Sequence, residues 1–286
     1  MKNAHTIVGV DLGGTKVLAA RIREKKIEKS HKTLVSAQGT EQQVILEVIT
    51  TIEAVITKGV EGIGVGVPSI VDINQGIVYD VQNIPSWKEV HLKKKLEDHF
   101  GVPVYVNNDA NCFAIGEKYF GEGRGYANMI GLIVGTGLAA GIIFDHKLYN
   151  GFNGGAGEFG MLPYLDRHFE YYAAGQFFSN VYGMDGGTLH QQALNGDTKA
   201  LGVFQEFGHH LGQGIMAILY AMDPELIVLG GSVSQAYPIY QKTLWEAMRA
   251  FAYTPVVDRL TIKLSKIPQI AVLGAAALFF DAQNRV

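Results

Sequence analysis

The sequence predicts an α/β protein of two lobes, each a mixed sheet flanked by helices, and three observations carry that expectation. Short β-branched apolar runs alternate along the chain with amphipathic stretches at helical spacing. A unit of strand, Gly-Thr turn and strand occurs twice: laid ungapped so that Thr15 meets Thr136, Leu12 to Ala20 falls on Ile133 to Gly141, with apolar flanks matching. Finally, the stretch from Val104 to Glu117, VYVNNDANCFAIGE, brings a carboxylate, Asp109, to the junction of a strand and a helix. In α/β folds that junction is where ligands bind.

The 286 residues suffice for one large or two medium domains, and 48% hydrophobic residues are ample for real cores. The expected lobes are residues 1–120, joined by a C-terminal helix over 271–286, and residues 121–270, with the Gly-rich stretch Gly121 to Gly125 as a hinge-like boundary. The formal net charge is −3 and no basic run suggests a nucleic-acid surface; Lys93, Lys94 and Lys95 read as the solvated face of a helix. One cysteine, Cys112, rules out an intramolecular disulfide and a cysteine zinc cluster. The first strand pattern begins by Ile7 without a signal-like segment, and no apolar run reaches the ~18 residues that span a bilayer. A soluble cytoplasmic protein without membrane or nucleic-acid partners is therefore expected. The 35 glycines exceed the usual share of about 7%, which points to tight turns and close backbone approaches to a ligand.

From the N-terminus, Ile7 to Ile22 reads as two strands joined at Gly13-Gly14, followed by a polar strand from Lys26 to Leu34. The turn formed by Gly13, Gly14, Thr15 and Lys16 lets backbone N–H groups converge on an anion, although a plain hairpin turn looks similar in sequence. Asp11 falls opposite Leu132 in the second copy, so its carboxylate is not required by turn geometry; a magnesium ion on a bound phosphate would require it. A helix follows over Glu41 to Lys58, then a buried strand from Ile63 to Pro68. Two polar loops, Pro68 to Asp72 with Ser69 and Val81 to Trp87 with Asn83, are places for ligand contacts; Trp87 reads as a packing anchor. After a helix from His91 to Phe100, the strand Val102 to Val106 leads to Asn108 and Asp109. Either of these side chains is equally at home as an N-cap.

In the second half, Gly135, Thr136 and Gly137 repeat the turn. Gly151 to Gly160 is too glycine-dense for a regular element, and Glu158 is its one ionisable group. Glu170 lies in the first turn of a helix from His168 to Ala174, where favourable interaction with the helix dipole is sufficient reason for it. A long apolar helix over Gly202 to Met222 contains His209 and His210, both read as core or interface residues. Leu226 to Val233 is a buried strand entering a Gly231-Ser232 turn that can face the adenosine side of a nucleotide. A helix over Ile239 to Phe251, an edge strand over Leu260 to Leu264 and a helix over Ala271 to Ala282 complete the chain.

Asp11 to Lys16 (DLGGTK), Asn108 to Asn111 (NDAN), Gly135-Thr136-Gly137, Gly157 to Gly160 (GEFG), Phe169-Glu170 and Leu229 to Ser232 (LGGS) together resemble the ROK family, in its order and over nearly the whole chain. The family comprises sugar kinases and sugar-sensing repressors on the two-lobed actin-like (ribonuclease H-like) ATPase fold. The resemblance implies Asp109 as catalytic base and Asn108, Glu158 and Glu170 as ligands of sugar hydroxyls, with the Ser69 loop beside the sugar. It implies ATP on the Asp11 loop, on Gly135 to Gly137 and beside Gly231 and Ser232, with Mg²⁺ held through the phosphates, and a homodimer. Met161 stands where the family has a histidine, and Leu162 to His168 is a shortened segment without cysteine, so no structural zinc is expected. The expected reaction is ATP-dependent phosphorylation of a hexose or hexosamine hydroxyl in a cleft between the lobes. The rival is a sugar sensor that binds without phosphorylating and acts through a partner protein. Repressors of the family carry a DNA-binding segment ahead of the first phosphate loop, and only ten residues precede Asp11 here.

Overall fold

The computed structural model describes residues 5–283. These form two compact units: unit 1 takes residues up to 125, 141–156 and those from 266 onward, and unit 2 takes 126–140 and 157–265. No helix among the described residues is long and apolar enough to cross a membrane.

Unit 1 opens with β1 (Thr6–Leu12), β2 (Lys16–Arg23) and β3 (Lys26–Leu34), the expected antiparallel meander. The helix α1 (Glu41–Glu53) is capped by the Thr40 side chain, which accepts from the Gln43 N–H, and buries Val44, Val48 and Ile52. It ends at Glu53, before the expected Lys58: the apolar spacing continues past the helix, with Val55 buried and Ile56 packed on the same core from the turn that follows. Next come β4 (Gly62–Val67), three short strands β5 (Val71–Asp72), β6 (Ile77–Tyr79) and β7 (Glu89–Val90), α2 (Leu92–Phe100), β8 (Val104–Asn108) and α3 (Asp109–Tyr119). The main sheet has the order β3-β2-β1-β4-β8, with β4 parallel to β1 and β8. The small antiparallel sheet β5-β6-β7 was not expected; strands of two or three residues show no readable period. Trp87 is fully buried beneath it, as an anchor.

The second half contains β9 (Met129–Val134), β10 (Leu138–Phe144), β11 (Lys147–Tyr149), the hairpin β12 (Pro163–Tyr164) and β13 (Arg167–His168), then α4 (Phe169–Ala173), α5 (Gln176–Tyr182), α6 (Gly186–Leu194), α7 (Thr198–Met222), β14 (Leu226–Gly230), α8 (Tyr237–Met248), α9 (Thr254–Arg259) and β15 (Thr261–Leu264). Strand order is β11-β10-β9-β14-β15, with β14 parallel to both neighbours. The long helix α7 starts before the expected Gly202, at the Asp197 cap, whose carboxylate accepts from the Ala200 N–H. Its buried stripe of Phe204, Phe207, Leu211, Ile215 and Ile218 follows helical spacing. Gly208 and Gly212 let α8 approach: a Cβ there would lie 2.5 Å from the Tyr240 carbonyl oxygen and 2.7 Å from that of Leu244.

Residues 141–156, assigned from sequence to the second lobe, group with unit 1. The second part of β10 runs against α3, close enough that a Cβ at Gly141 would lie 2.5 Å from the Ala110 carbonyl oxygen. The segment is also tied by Asn150, whose Oδ1 accepts from Asn107 Nδ2 at 2.9 Å and Asn111 Nδ2 at 3.4 Å. The last helix, α10 (Ile270–Gln283), returns to unit 1 and packs on β1, β4 and α3.

Candidate functional site

The predicted residues fall into one group in each unit. In unit 1, Asp11 is the last residue but one of β1, and the turn to β2 closes through the Gly13 N–H on the Lys16 carbonyl, 2.9 Å. Burial pushes the Asp11 carboxyl up from the usual range and the Lys16 charge only partly offsets this. Gly14 lies against Asn83, where a Cβ would come within 2.4 Å of the Asn83 Cβ. Asn83, read from the sequence as a ligand contact, therefore borders the turn expected on the phosphates.

Asn108 is the N-cap of α3: its Oδ1 accepts from the Ala110 N–H at 2.8 Å and its Nδ2 donates to the Ser69 carbonyl at 3.3 Å. The Ser69 hydroxyl donates to the Tyr79 carbonyl. Asp109 is the first residue of α3, where the helix dipole favours a negative charge, and its Oδ1 also meets the Ala110 N–H at 2.8 Å. The capping reading thus holds for Asn108, while Asp109 is a partly buried carboxylate one position further on. Behind it lies Cys112, whose thiol is pushed well up by burial and then by the negative charges of Asp109 and Asp11. Both carboxylates therefore act on one buried sulfur, which stays protonated and inert at neutral pH.

In unit 2 the second turn is tighter: the Gly135 N–H bonds the Gly137 carbonyl at 3.0 Å. The two turn-closing bonds occupy the amides of Gly13 and Gly135, so phosphate contacts would have to come from amides that follow them. Gly137 abuts Glu170: a Cβ at Gly137 would lie 2.6 Å from Glu170 Oε2, and that oxygen accepts the Leu138 N–H at 2.9 Å. Gln176 Nε2 donates to the other oxygen, Oε1, at 2.9 Å. The loop carrying Glu158 is pinned on β10 by Gly157 at φ +99°, where a Cβ would lie 1.9 Å from the Ala140 carbonyl oxygen. Desolvation and then the charge of Glu170 push the Glu158 carboxyl up, which sets the two glutamates near one another. Met161 ends the short 3-10 helix Phe159–Met161 half-exposed, and Leu162 to His168 folds into the β12–β13 hairpin. Tyr164 of that hairpin stacks on Phe169, with centroids 4.4 Å apart, and its hydroxyl meets His210 Nδ1 at 3.0 Å. His210 is buried in this ring cluster as expected, whereas His209 faces solvent. Among the described residues no group of three or more His, Cys, Asp and Glu could hold a metal.

Thr136, Gly135 and Ser232 line a cavity of about 310 Å³ wholly within unit 2. Its other walls, Gly175-Gln176 and Asp185-Gly186-Gly187 with His190, are not singled out by the sequence. A signal existed in the third Gly-Gly pair, at 186–187, behind an Asp that caps α6 by accepting from the Thr188 N–H at 2.7 Å. Gly231, at φ +86° and next to Ser232 but not itself a wall, lets the end of β14 approach that of β9: a Cβ there would lie 2.4 Å from the Val134 carbonyl oxygen. The cavity is mixed in polarity, with Phe178 and Phe204 among its walls beside polar Ser179 and His190, the make-up of a small-molecule site.

The model of the ROK family matches residues 7–282. A glucokinase of Halalkalibacterium halodurans is 30% identical over 256 residues, covering 78% of this chain and 77% of that one. The xylose repressor of Bacillus subtilis is 27% identical over 240 residues, 78% of this chain and 62% of the repressor. Among solved structures, a ROK family glucokinase from Streptomyces griseus in complex with glucose and AMPPNP superposes with a TM-score of 0.78 at 27% identity, covering 96% of this chain and 98% of that one.

Proposed function

The chain belongs to the ROK family and shares the actin-like ATPase fold of its sugar kinases, and from that premise we propose that it is an ATP-dependent kinase of a hexose or hexosamine hydroxyl. The observation that carries the proposal is Asp109: a carboxylate at the first position of α3, beside a separate capping asparagine that already serves the helix end. In this reading Asp109 takes the proton of the acceptor hydroxyl as that oxygen attacks the terminal phosphoryl group of ATP. Asn108, Glu158 and Glu170 orient the acceptor, with the Ser69 loop beside it. The Asp11 turn and Gly135 to Gly137 receive the phosphates, and the unit 2 cavity beside Ser232 receives the adenosine. Relatives support the reading by what their names state: a glucokinase, and a glucokinase bound to glucose and AMPPNP.

Magnesium fits the residues present: a buried carboxylate with a raised pKa, Asp11, is what a cation shared with phosphate oxygens would neutralise. When bound with the nucleotide it would supply positive charge to the transferring phosphate. Asp11 would hold it, since Lys16 offsets the carboxylate only in part. A homodimer, checked by mass in solution, is carried over as part of the same proposal.

Hexose-dependent ADP release, screened over glucose, mannose and N-acetylated hexosamines, tests the reading. Asp109→Asn is expected to lower turnover by about 10²- to 10⁴-fold, the usual worth of a positioned base, with AMPPNP affinity nearly unchanged. A variant that keeps more than a tenth of wild-type turnover would make Asp109 a helix-terminal residue only. The similarity to the xylose repressor favours a second reading, a sensor without catalysis. Sugar binding with no ADP release at saturating ATP would establish it.

A further inference from the structure

The Glu170 carboxylate is held from two sides inside unit 2. Its Oε2 accepts the N–H of Leu138, directly after the Gly135 to Gly137 turn, and its Oε1 accepts from the side chain of Gln176, both at 2.9 Å. Gln176 is also a wall of the 310 Å³ cavity, together with Thr136 and Ser232. Its orientation is set along its whole length. The backbone N–H of Gln176 donates to the Thr136 carbonyl at 3.3 Å, its neighbour Gly175 donates to the Gly135 carbonyl at 2.7 Å, and its Oε1 accepts from Asn180 Nδ2 at 3.4 Å. With the oxygen end so engaged, the amide can present only its NH₂ to Glu170. Glu170 itself does not line the cavity. One glutamine thus touches the cavity and steers a carboxylate outside it.

We infer that Gln176 is a positioning residue that links the cavity to Glu170, so that a nucleotide in the cavity sets how tightly the carboxylate receives an acceptor hydroxyl. The inference rests on the nucleotide and acceptor roles proposed above for these groups. A carboxylate offers about four lone-pair positions, and two are taken by Leu138 and Gln176. The remaining two can accept hydroxyls, but only in the direction that the two donors impose. Glycine at 137 makes the room in which Oε2 sits, since a Cβ there would meet that oxygen at 2.6 Å. A ligand pressing on Gly175-Gln176 therefore moves or stiffens the donor that aims Glu170. Coupling of this kind is reciprocal: the factor by which nucleotide changes acceptor affinity must equal the factor by which acceptor changes nucleotide affinity.

Calorimetric titration tests this on the full chain in two arms. In the sugar-free arm, Mg²⁺-AMPPNP is titrated into wild type, Glu170→Ala, Gln176→Ala and the double variant. Glu170→Ala is expected to change AMPPNP affinity at least threefold although residue 170 lies outside the cavity, and to change nothing further once Gln176 is Ala. In the second arm, glucose and N-acetylated hexosamines are titrated with and without AMPPNP. Wild type is expected to show at least a fivefold effect of the nucleotide on sugar affinity, the same factor in the reverse titration, and less than twofold in Gln176→Ala. Gln176→Asn, which keeps the amide one methylene short, serves if Gln176→Ala does not fold, with the same expectation. An unaltered coupling factor in the Gln176 variants, or AMPPNP binding indifferent to Glu170→Ala, overturns the inference while leaving the kinase reading standing. If wild type binds no sugar, the acceptor reading fails and the sugar-free arm alone decides on Gln176. If wild type binds no AMPPNP, the nucleotide reading and the inference fall together.

Discussion

At the scale of single residues, two glutamates placed near one another carry a pH dependence. Desolvation and the charge of Glu170 raise the Glu158 carboxyl, so Glu158 takes up its proton at a higher pH than an ordinary glutamate. A protonated carboxyl loses much of its capacity to accept from sugar hydroxyls. The acid limb of kcat/KM is therefore expected above the usual glutamate range of about 4.3, and Glu170→Gln should move that limb to lower pH by removing the like charge. The measurement is the position of the limb, not its height, because both residues are assigned to acceptor binding. A limb that stays in place in Glu170→Gln would detach the two carboxyls. Nothing comparable is expected of Cys112, whose buried thiol lies beyond the reach of alkylating reagents in the folded state.

Among elements, α3 shows how a site is held. Asn107 Oδ1 accepts from the Asn108 N–H at 2.8 Å and from Asn111 Nδ2 at 2.9 Å, while Asn107 Nδ2 donates to Asn150 at 2.9 Å. These three buried amides bind the loop after β11 to the start of the helix that carries Asp109. Asn150→Ala would strip a buried donor of its acceptor, at a cost of about 1–3 kcal/mol, and a protein of this size should lose a few degrees of Tm per kcal/mol. An unchanged Tm would mean that water replaces the Asn150 carbonyl group. Both α3 and the β1–β2 turn are legible in the sequence because they are punctuated by residues with one dominant use, Asp at a helix start and Gly-Gly in a turn. The end of α1 is not, since its apolar spacing continues into a turn, and β5 to β7 and α9 span too few residues for periodicity to register. In the site, the carboxylates and phosphate turns are chemical types visible one by one. Gln176 is an ordinary polar residue in sequence, and its meaning arises only when α5 sets it against Glu170.

Over the whole molecule, the β12–β13 hairpin and its aromatic cluster stand where the family resemblance would put a cysteine zinc loop. Stacking of Tyr164 on Phe169 and the bond from Tyr164 to His210 supply the ties of that segment from packing. Elemental analysis of the purified protein is expected to find no stoichiometric zinc, and Tm is expected to stay the same in a chelator; one zinc per chain would require ligands other than cysteines.

The unit structure makes the final prediction, because unit 1 is completed by the far end of the chain. The helix α10 is apolar on nearly every face, as a helix enclosed in a core must be. It settles at backbone distance on three elements: a Cβ at Gly9 of β1 would lie 2.0 Å from the Val272 carbonyl oxygen, and one at Gly64 of β4 would lie 1.8 Å from that of Ala275. On the helix itself, a Cβ at Gly274 would lie 1.7 Å from the Cys112 carbonyl oxygen of α3. No rotamer of a larger residue relieves a clash with backbone on the partner element, so Gly274→Leu must lift α10 away and open the core around Ile7, Ala20 and Phe279. The cost should exceed the ~1–3 kcal/mol of ordinary overpacking, since the helix and not a side chain has to move. Gly202→Leu, at a helical position with nothing within 4 Å, is the matched control and should leave stability unchanged or raise it by up to about 1 kcal/mol through helix propensity. Hydrogen exchange on Gly274→Leu is expected to show β1, β4 and α3 losing protection together while β9 and β14, which belong to unit 2, keep theirs. Equal loss in β9 and β14 would show instead that the chain opens as one cooperative body, and the division into units would then describe contacts without describing stability.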